Sequence, residues 1–272
     1  MTMHRIAAIQ MTSTEDVQAN LSQAAKWIAK AAEQGARLVV LPEMFAMMGV
    51  DQMDKVKTRE ALGHGPIQDF LREQAAKYRI WLVGGTLPLT IEHENEKVSA
   101  ACLLFDDQGN CVARYNKIHL FDVSLQKTQE TYHESKVILA GDKLVVAETP
   151  VGKIGLAVCY DVRFPEMFRN MHEQSVEIVI LPAAFTYVTG AAHWEVLLRA
   201  RAIENQVYMI AAAQTGLHPN GRKTYGHSMI IDPWGVVKMS LPEEQGVVVA
   251  DIDLNYLWRL RKEFPVLEHK KF

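Results

Sequence analysis

Apolar residues recur along the chain with two periods, one typical of buried strands and one typical of amphipathic helices. Short apolar runs alternate with stretches in which apolar positions are three and four residues apart. This pattern predicts strands over 5–11, 37–41, 80–85, 99–105, 111–115, 143–148, 152–159, 177–181, 207–214, 225–231, 236–239 and 247–252. It predicts helices from 17 to a cap at Gly35 and over 66–78, 165–174, 193–206 and 255–264. Strands alternating with helices indicate an α/β fold.

Two segments between these elements are predicted to be loops. Residues 120–136 are polar and irregular, and this length is typical of a functional loop. Residues 216–221 are rich in glycine, proline and asparagine. No linker, low-complexity tract or repeat divides the sequence, so we expect one domain over residues 1–272.

Composition narrows the functional classes. The 272 residues are 49% hydrophobic and carry a formal net charge of −3, which favours neither a nucleic acid nor an anionic membrane as partner. Cys102, Cys111 and Cys159 lack the spacing of a zinc site or a disulfide framework. Free thiols, a start that does not resemble a signal peptide and the lack of a long apolar run predict a cytoplasmic protein.

Cys159 is placed at a position where reactive groups collect. It follows the apolar run Ile154–Val158 and precedes a helix that begins near Pro165. Ligands of open α/β sheets bind at the carboxyl ends of strands, and a helix amino terminus favours a thiolate. Most free cysteines nevertheless fill hydrophobic cores. The position alone therefore leaves a catalytic and a structural interpretation open.

Two more reactive side chains, Glu43 and Lys117, also follow predicted strands. A carboxylate beside Cys159 can accept the thiol proton and return it to a leaving group. An ammonium group and the N–H of Tyr160, the residue after the cysteine, can stabilise an oxyanion formed on a bound substrate. Together these groups predict a covalent acyl-transfer site, whereas each charge taken singly is as typical of a solvated strand end.

Three stretches carry a resemblance to a known family. Leu41–Phe45, Tyr115–Asp122 and Gly155–Glu166 resemble, in order and spacing, the three signature stretches of the nitrilase superfamily of carbon–nitrogen hydrolases. The similarity continues through residues 189–195, 199–205, 225–229 and 232–235 and so covers nearly the whole sequence.

That resemblance implies a nitrilase-type α-β-β-α four-layer sandwich and a homodimer formed through helices near the nucleophile. It implies Glu43 as general base, Lys117 as oxyanion stabiliser and Cys159 as nucleophile, with no metal and no cofactor. The family also places a second glutamate beside the lysine, in a Glu-Ser stretch. Glu134 fits that pattern, and Glu130 is a rival that no serine follows.

The residues after Cys159 are similar to those of amidases that act on amides of keto acids, and they differ from the pattern of true nitrilases. Residues 193–204, 211–214 and 252–257 resemble the branch that hydrolyses deaminated glutathione more than the branch that hydrolyses α-ketoglutaramate. The resemblance therefore implies a small-molecule amide substrate, with deaminated glutathione as first choice. Hydrolysis of N-carbamoyl compounds and an inactive binding protein remain as alternatives.

Besides Tyr160, three residues are expected to contact the substrate: Arg163, Phe185 and Thr189. Arg163 is suited to binding a substrate carboxylate, or it pairs with Asp161 or Glu166. By family position Phe185 and Thr189 form further pocket wall, or they act as a packed aromatic residue and a helix cap.

Overall fold

Two β-sheets lie face to face in the computed structural model, which describes residues 3–125 and 130–271. Two short two-stranded hairpins lie outside these sheets. The strands of the described residues are β1 (Met3–Gln10), β2 (Leu38–Val40), β3 (Trp81–Val83), β4 (Leu87–Ile91), β5 (Glu94–Phe105), β6 (Cys111–Asn116), β7 (Asp122–Leu125), β8 (Glu130–His133), β9 (Val146–Thr149), β10 (Gly152–Leu156), β11 (Ile178–Ala183), β12 (Tyr208–Ala213), β13 (Thr215–Leu217), β14 (Lys223–Tyr225), β15 (Ser228–Ile231), β16 (Val237–Leu241) and β17 (Gly246–Asp253).

The helices of the described residues are α1 (Val17–Glu33), α2 (Asp54–Lys57), α3 (Pro66–Tyr78), α4 (Pro165–Glu173), α5 (Tyr187–Asn205) and α6 (Leu254–Glu263). Four of them cover the outer faces of the two sheets. The residues of α1 and α3 pack on the first sheet, and those of α4 and α5 pack on the second. The layers are therefore α-β-β-α, as the resemblance implied.

The first sheet has the strand order β17-β1-β2-β3-β5-β4, with β6 also paired to β5, and the second has the order β16-β15-β12-β11-β10-β9. In each sheet three adjacent central strands are parallel: β1, β2 and β3 in one, and β10, β11 and β12 in the other. The carboxyl ends of parallel strands lie at one edge of their sheet. Each sheet therefore presents one edge where the following side chains converge.

Alternation along β1 shows how the core is divided. Ile6 and Ala8 belong to the large cluster between the two sheets, whereas Ala7 and Ile9 belong to the cluster beneath α1 and α3. Successive side chains of a strand point to opposite faces, and all four residues are fully buried. A strand buried on both faces explains why this segment has a continuous apolar run instead of an alternating pattern.

The segment predicted to be an irregular loop over 120–136 contains a short antiparallel hairpin, β7–β8, followed by a 3₁₀ turn at Glu134–Lys136. Residues 126–129 of that prediction lie outside the described residues. The predicted loop over 216–221 likewise begins inside β13, which pairs with β14. Both hairpins were missed because strands of three or four residues have too few positions to show a period.

Several predicted boundaries were also wrong, and two examples lie close to Cys159 and to the cavity. The strand predicted over 152–159 ends at Leu156, because Cys159 has a positive φ of 48° that a strand cannot contain. Helix α5 begins at Tyr187, six residues before the predicted start at His193. Its residues 189–192 are threonine, glycine and two alanines, which mask the helical period.

The carboxyl-terminal tail contacts helices of its own chain. Gln206 Nε2 donates a hydrogen bond to the Phe264 carbonyl oxygen over 2.7 Å, and Lys270 pairs with Glu173 at 2.8 Å. Phe272, at the end of this tail, lies outside the described residues. Across the described part of the chain, each helix is too short or too polar to cross a lipid bilayer.

Gly85 sets the path of the chain next to Glu43, and its replacement provides a test of the fold. A Cβ at this position would lie 2.0 Å from the Pro42 carbonyl oxygen, and the backbone has a φ of +52°. We predict that Gly85→Ala lowers the free energy of unfolding by about 1–3 kcal/mol, because backbone atoms must move apart. Denaturant unfolding measures the change.

Gly63→Ala is the matched control, because Gly63 also has a positive φ but no atom within 4 Å of the added Cβ. It carries only the backbone strain and should be the more stable variant of the two. Equal losses in both variants would contradict a steric role for Gly85.

Candidate active site

The two edges of parallel strand ends face a common cavity of about 450 Å³. Glu43 reaches it from the segment after β2, Lys117 from the end of β6, and Cys159 from the segment after β10. Glu134 enters from the 3₁₀ turn after the β7–β8 hairpin. A volume of this size suits a small organic ligand. The cavity therefore combines reactive groups from both sheets and from the hairpin.

Lys117 lies between two glutamates. Its Nζ is 2.8 Å from Glu43 Oε1, and it is 3.0 and 2.8 Å from the two carboxylate oxygens of Glu134. The lysine side chain is only 2% exposed. Burial opposes its charged form, but the Glu134 and Glu43 carboxylates outweigh burial and raise the pKa of Lys117 well above its ordinary value. The site therefore contains a fixed, fully protonated ammonium group.

Backbone groups orient the two carboxylates. The Ala184 N–H, directly after β11 of the second sheet, donates to Glu43 Oε2 at 2.8 Å, and the Phe121 N–H donates to Glu134 Oε2 at 2.8 Å. Burial acts against ionisation of Glu134, yet the ammonium groups of Lys117 and Lys55 leave its pKa below the ordinary value. Each glutamate is thus held in one orientation, as charge stabilisation in a catalytic site requires.

Cys159 is buried and is the first residue of a 3₁₀ turn, Cys159–Arg163. Burial and the adjacent Glu43 carboxylate raise the pKa of the thiol, whereas Lys117 and the Ala184 N–H act in the opposite direction. The raised pKa runs against the thiolate that a helix amino terminus favours, so the resting sulfur is a protonated thiol. A nucleophile of this kind needs a base to remove its proton as it reacts.

Asp161 connects the cysteine turn to the segment that carries Lys117. Its fully buried carboxylate accepts hydrogen bonds from the Val158 N–H at 2.7 Å and from the Tyr115 hydroxyl at 2.7 Å. It also accepts from the His119 N–H at 3.1 Å, and His119 Nδ1 lies 2.7 Å away. Tyr115 and His119 flank Lys117 in sequence, so one carboxylate sets the spacing between Cys159 and Lys117.

The predicted substrate contacts are at different depths. Tyr160, Phe185 and Thr189 line the cavity, and Thr189 Oγ1 also lies 2.6 Å from Thr186 Oγ1 in the first turn of α5. Arg163 is not among the described residues that line it. Its guanidinium instead lies 5.0 Å from the ring centre of Phe185 and 5.8 Å from that of Tyr160, so it supports the wall from behind these rings.

Sequence reasoning missed several residues of the cavity wall. Lys55 is on the four-residue helix α2, and Asn220 and Arg222 belong to the connection between β13 and β14. The aromatic side chains of Phe121 and Tyr132 also line the cavity, with ring centres 5.1 Å apart. The glycine-rich sequence after a buried strand could have indicated the connection that carries Asn220 and Arg222. The four residues of α2 are too few to show a helical period.

A metal site is not found in the part of the chain that the structure describes: no group of three His, Cys, Asp or Glu side chains is arranged to hold an ion. The cavity instead offers a thiol, an ammonium group and two carboxylates within a partly enclosed space. These groups suffice for covalent acyl transfer with a cysteine nucleophile and a carboxylate base.

We predict that Asp161→Asn lowers the free energy of unfolding by about 1–3 kcal/mol, because an amide cannot accept all the hydrogen bonds that the buried carboxylate accepts. Because Asp161 positions reacting groups, kcat should fall at least tenfold while KM changes little. Thermal unfolding and steady-state kinetics measure both effects. Glu166→Gln, an exposed carboxylate of the same segment, should change neither quantity. A loss of stability without a loss of kcat would leave Asp161 a purely structural residue.

Comparisons with known proteins agree with this geometry. The carbon–nitrogen hydrolase family profile matches residues 5–262. A Yersinia enterocolitica protein named deaminated glutathione amidase is 41% identical over 98% of this chain and 93% of its own length. The Saccharomyces cerevisiae protein Nit3, described as a member of branch 10 of the nitrilase superfamily, has a TM-score of 0.89 with 30% identity, over 99% of this chain and 97% of that one.

The NitFhit protein of C. elegans has a TM-score of 0.91 and 39% identity over 99% of this chain, which spans 65% of that longer protein. The family match covers the segments that carry Glu43, Lys117, Glu134 and Cys159. The chain therefore belongs to the carbon–nitrogen hydrolase family, within the nitrilase superfamily that its sequence resembles.

Proposed function

We propose that this chain is an amidase that hydrolyses deaminated glutathione to 2-oxoglutarate and cysteinylglycine. One observation carries the proposal: Cys159 shares its cavity with Lys117 and two glutamates, in a chain 41% identical over 98% of its length to a protein named for that activity. The thiol, the ammonium group and a carboxylate supply the nucleophile, the oxyanion stabiliser and the base that amide hydrolysis through a thioester needs.

In the first half of the reaction, Cys159 Sγ attacks the amide carbonyl carbon as its proton passes to Glu43. The carbonyl oxygen becomes an oxyanion, which Lys117 and the Tyr160 N–H stabilise. The carbon–nitrogen bond then breaks, and Glu43 gives its proton to the leaving amine. Among the reacting groups Glu134 contacts only Lys117, and it positions the ammonium group. A thioester on Cys159 remains.

Water completes the cycle. Glu43 accepts a proton from a water molecule as its oxygen attacks the thioester carbonyl, and the same two donors stabilise the second oxyanion. The carbon–sulfur bond breaks, the carboxylic acid leaves, and the sulfur regains its proton from Glu43. Each proton is then back on its original group, and the site is ready for another substrate molecule.

The alternative function is hydrolysis of α-ketoglutaramate, and the test must distinguish it from hydrolysis of deaminated glutathione. That compound has the same acyl part as deaminated glutathione, but its leaving group is ammonia instead of a dipeptide. The assay measures 2-oxoglutarate release from each compound by the purified protein. Higher kcat/KM on deaminated glutathione supports the proposal, higher kcat/KM on α-ketoglutaramate replaces it with the alternative, and hydrolysis of neither contradicts both.

We predict that Cys159→Ala reduces kcat by about 10⁴-fold or more, because no other group of the site can form the thioester. Glu43→Gln should reduce kcat by about 10²–10⁴-fold, the usual value of general acid–base catalysis. Cys159→Ala should unfold at a temperature close to that of the unsubstituted protein. Glu43→Gln should unfold at a lower temperature, because Lys117 loses one of its two carboxylate partners, and its kcat is compared at a temperature where the variant is still folded. Cys111→Ala, which removes an exposed thiol, is the control and should keep full activity. Turnover by folded Cys159→Ala would exclude the mechanism.

We also infer that the chain forms a homodimer through α5, the long helix beside the nucleophile. Val188, Val196 and Ile203 are 41%, 67% and 47% exposed and are spaced by eight and seven residues, so they form an apolar stripe along one side of this helix. An exposed apolar stripe is typical of an interface with another protein. Three unpaired cysteines, with one of them exposed, support a reducing, cytoplasmic location.

The double variant Val196→Glu and Ile203→Glu should convert the dimer to a monomer, because two carboxylates would be buried against an apolar surface. Size-exclusion chromatography with light scattering measures the mass. Val112→Glu, at an exposed apolar position on β6 of the first sheet, should leave the mass unchanged. A dimer that survives the double variant would exclude α5 as the interface.

A further inference from the structure

Two cations in the cavity have hydrogen-bonding capacity that the protein does not use. Lys55 lines the cavity and makes neither a hydrogen bond nor an ion pair with the residues that the structure describes. Lys57, on the same short helix, pairs with Asp54 at 2.9 Å. Arg222 also lines the cavity; one terminal nitrogen donates to the Ala184 carbonyl oxygen, while its Nε is buried without a partner.

The carboxylates of the cavity are already engaged. Glu43 and Glu134 bind Lys117, the exposed Asp51 accepts the Met53 N–H at 2.6 Å, and Glu130 is hydrogen-bonded to Tyr132. A buried or half-buried cation without a partner is unfavourable unless a ligand supplies the opposite charge. The spare donors of Lys55 and Arg222 therefore point to an anionic group on the ligand.

The loop geometry brings the two cations to the same part of the wall. Asn220 Oδ1 accepts the Arg222 N–H at 3.0 Å, and Asn220 Nδ2 donates to the Gly49 carbonyl oxygen at 2.9 Å. Gly49 begins the connection that leads into α2 and Lys55. The Arg222 guanidinium also lies 5.3 Å from the ring centre of Tyr132, which limits its motion.

The electrostatics of Lys55 agree with an unfilled partner position. Burial lowers its pKa, and the carboxylates of Glu134 and Glu43 counteract burial without contacting it. A carboxylate in direct contact would restore the pKa toward its ordinary value. Arginine in turn can bind a carboxylate with two parallel hydrogen bonds.

We propose that Lys55 and Arg222 form the subsite that binds the carboxylate of the 2-oxo acid part of the substrate. This inference rests on the proposed function, because deaminated glutathione carries that carboxylate one short aliphatic chain away from the amide that Cys159 attacks. The subsite contacts the acyl part of the substrate and not the leaving amine. It therefore selects amides whose acyl part ends in a carboxylate, whatever the leaving amine is.

The test compares two amides of equal chain length: glutaramate, which ends in a carboxylate, and pentanamide, which ends in a methyl group. The ratio of their kcat/KM values measures selection for the carboxylate. The ratio should fall at least tenfold in Lys55→Met and in Arg222→Met, because each variant loses a charge-assisted hydrogen bond. Lys57→Met and Lys223→Met, exposed neighbours of these residues, are the matched controls and should keep the ratio.

A second measurement does not depend on turnover. Calorimetry of 2-oxoglutarate binding to Cys159→Ala should give a Kd that rises at least tenfold when Lys55→Met or Arg222→Met is added, and that stays the same with Lys57→Met. An unchanged Kd and an unchanged ratio in both cavity variants would overturn the subsite.

The outcomes also separate this inference from the proposed function. If the unsubstituted protein hydrolyses deaminated glutathione but the cavity variants keep the ratio and the Kd, the subsite is wrong and the function stands. If the protein does not hydrolyse deaminated glutathione, yet the variants lose selection for the carboxylate, the function is wrong and the subsite stands.

Discussion

The buried ammonium group of Lys117 is the interaction on which the site depends. A charge taken out of water costs several kcal/mol unless opposite charges and hydrogen bonds compensate it. Glu43 and Glu134 supply both, from the end of β2 and from the turn after the β7–β8 hairpin. The charge of Lys117 is therefore compensated only when the first sheet is assembled and the hairpin is correctly placed. If either segment were misplaced, the lysine would lack one of its carboxylate partners.

Hydrogen bonds also connect the second sheet to Lys117 and its two glutamates. The Ala184 N–H after β11 fixes Glu43, and the Asp161 carboxylate holds the turn of Cys159 against the segment on both sides of Lys117. Neither sheet carries a complete set of reacting groups. The positive φ of Cys159 belongs to the same arrangement, since a strained residue persists only where its surroundings hold it firmly.

The residues at strand ends are the part of the site that could be predicted from the sequence. Glu43, Lys117 and Cys159 each lie at or just beyond the end of a segment that the sequence predicts as a strand, and the rule that ligands bind at such ends then groups them. Lys55 and Arg222 could not be found in this way, because α2 has four residues and the β13–β14 hairpin has strands of three. Such short elements are fixed by tertiary contacts, which leave no period in the sequence.

Because residues of both sheets line the cavity, a bound molecule would contact both sheets at once and stabilise their packing against each other. Anything that binds only the folded chain adds its binding free energy to the free energy of unfolding. Here that contribution would fall on the seam between the sheets, where Glu43 and Ala184 meet. Amide hydrogens of β2 and β11 would then exchange with solvent more slowly in the occupied enzyme, so that occupancy of the site could be followed from the backbone alone.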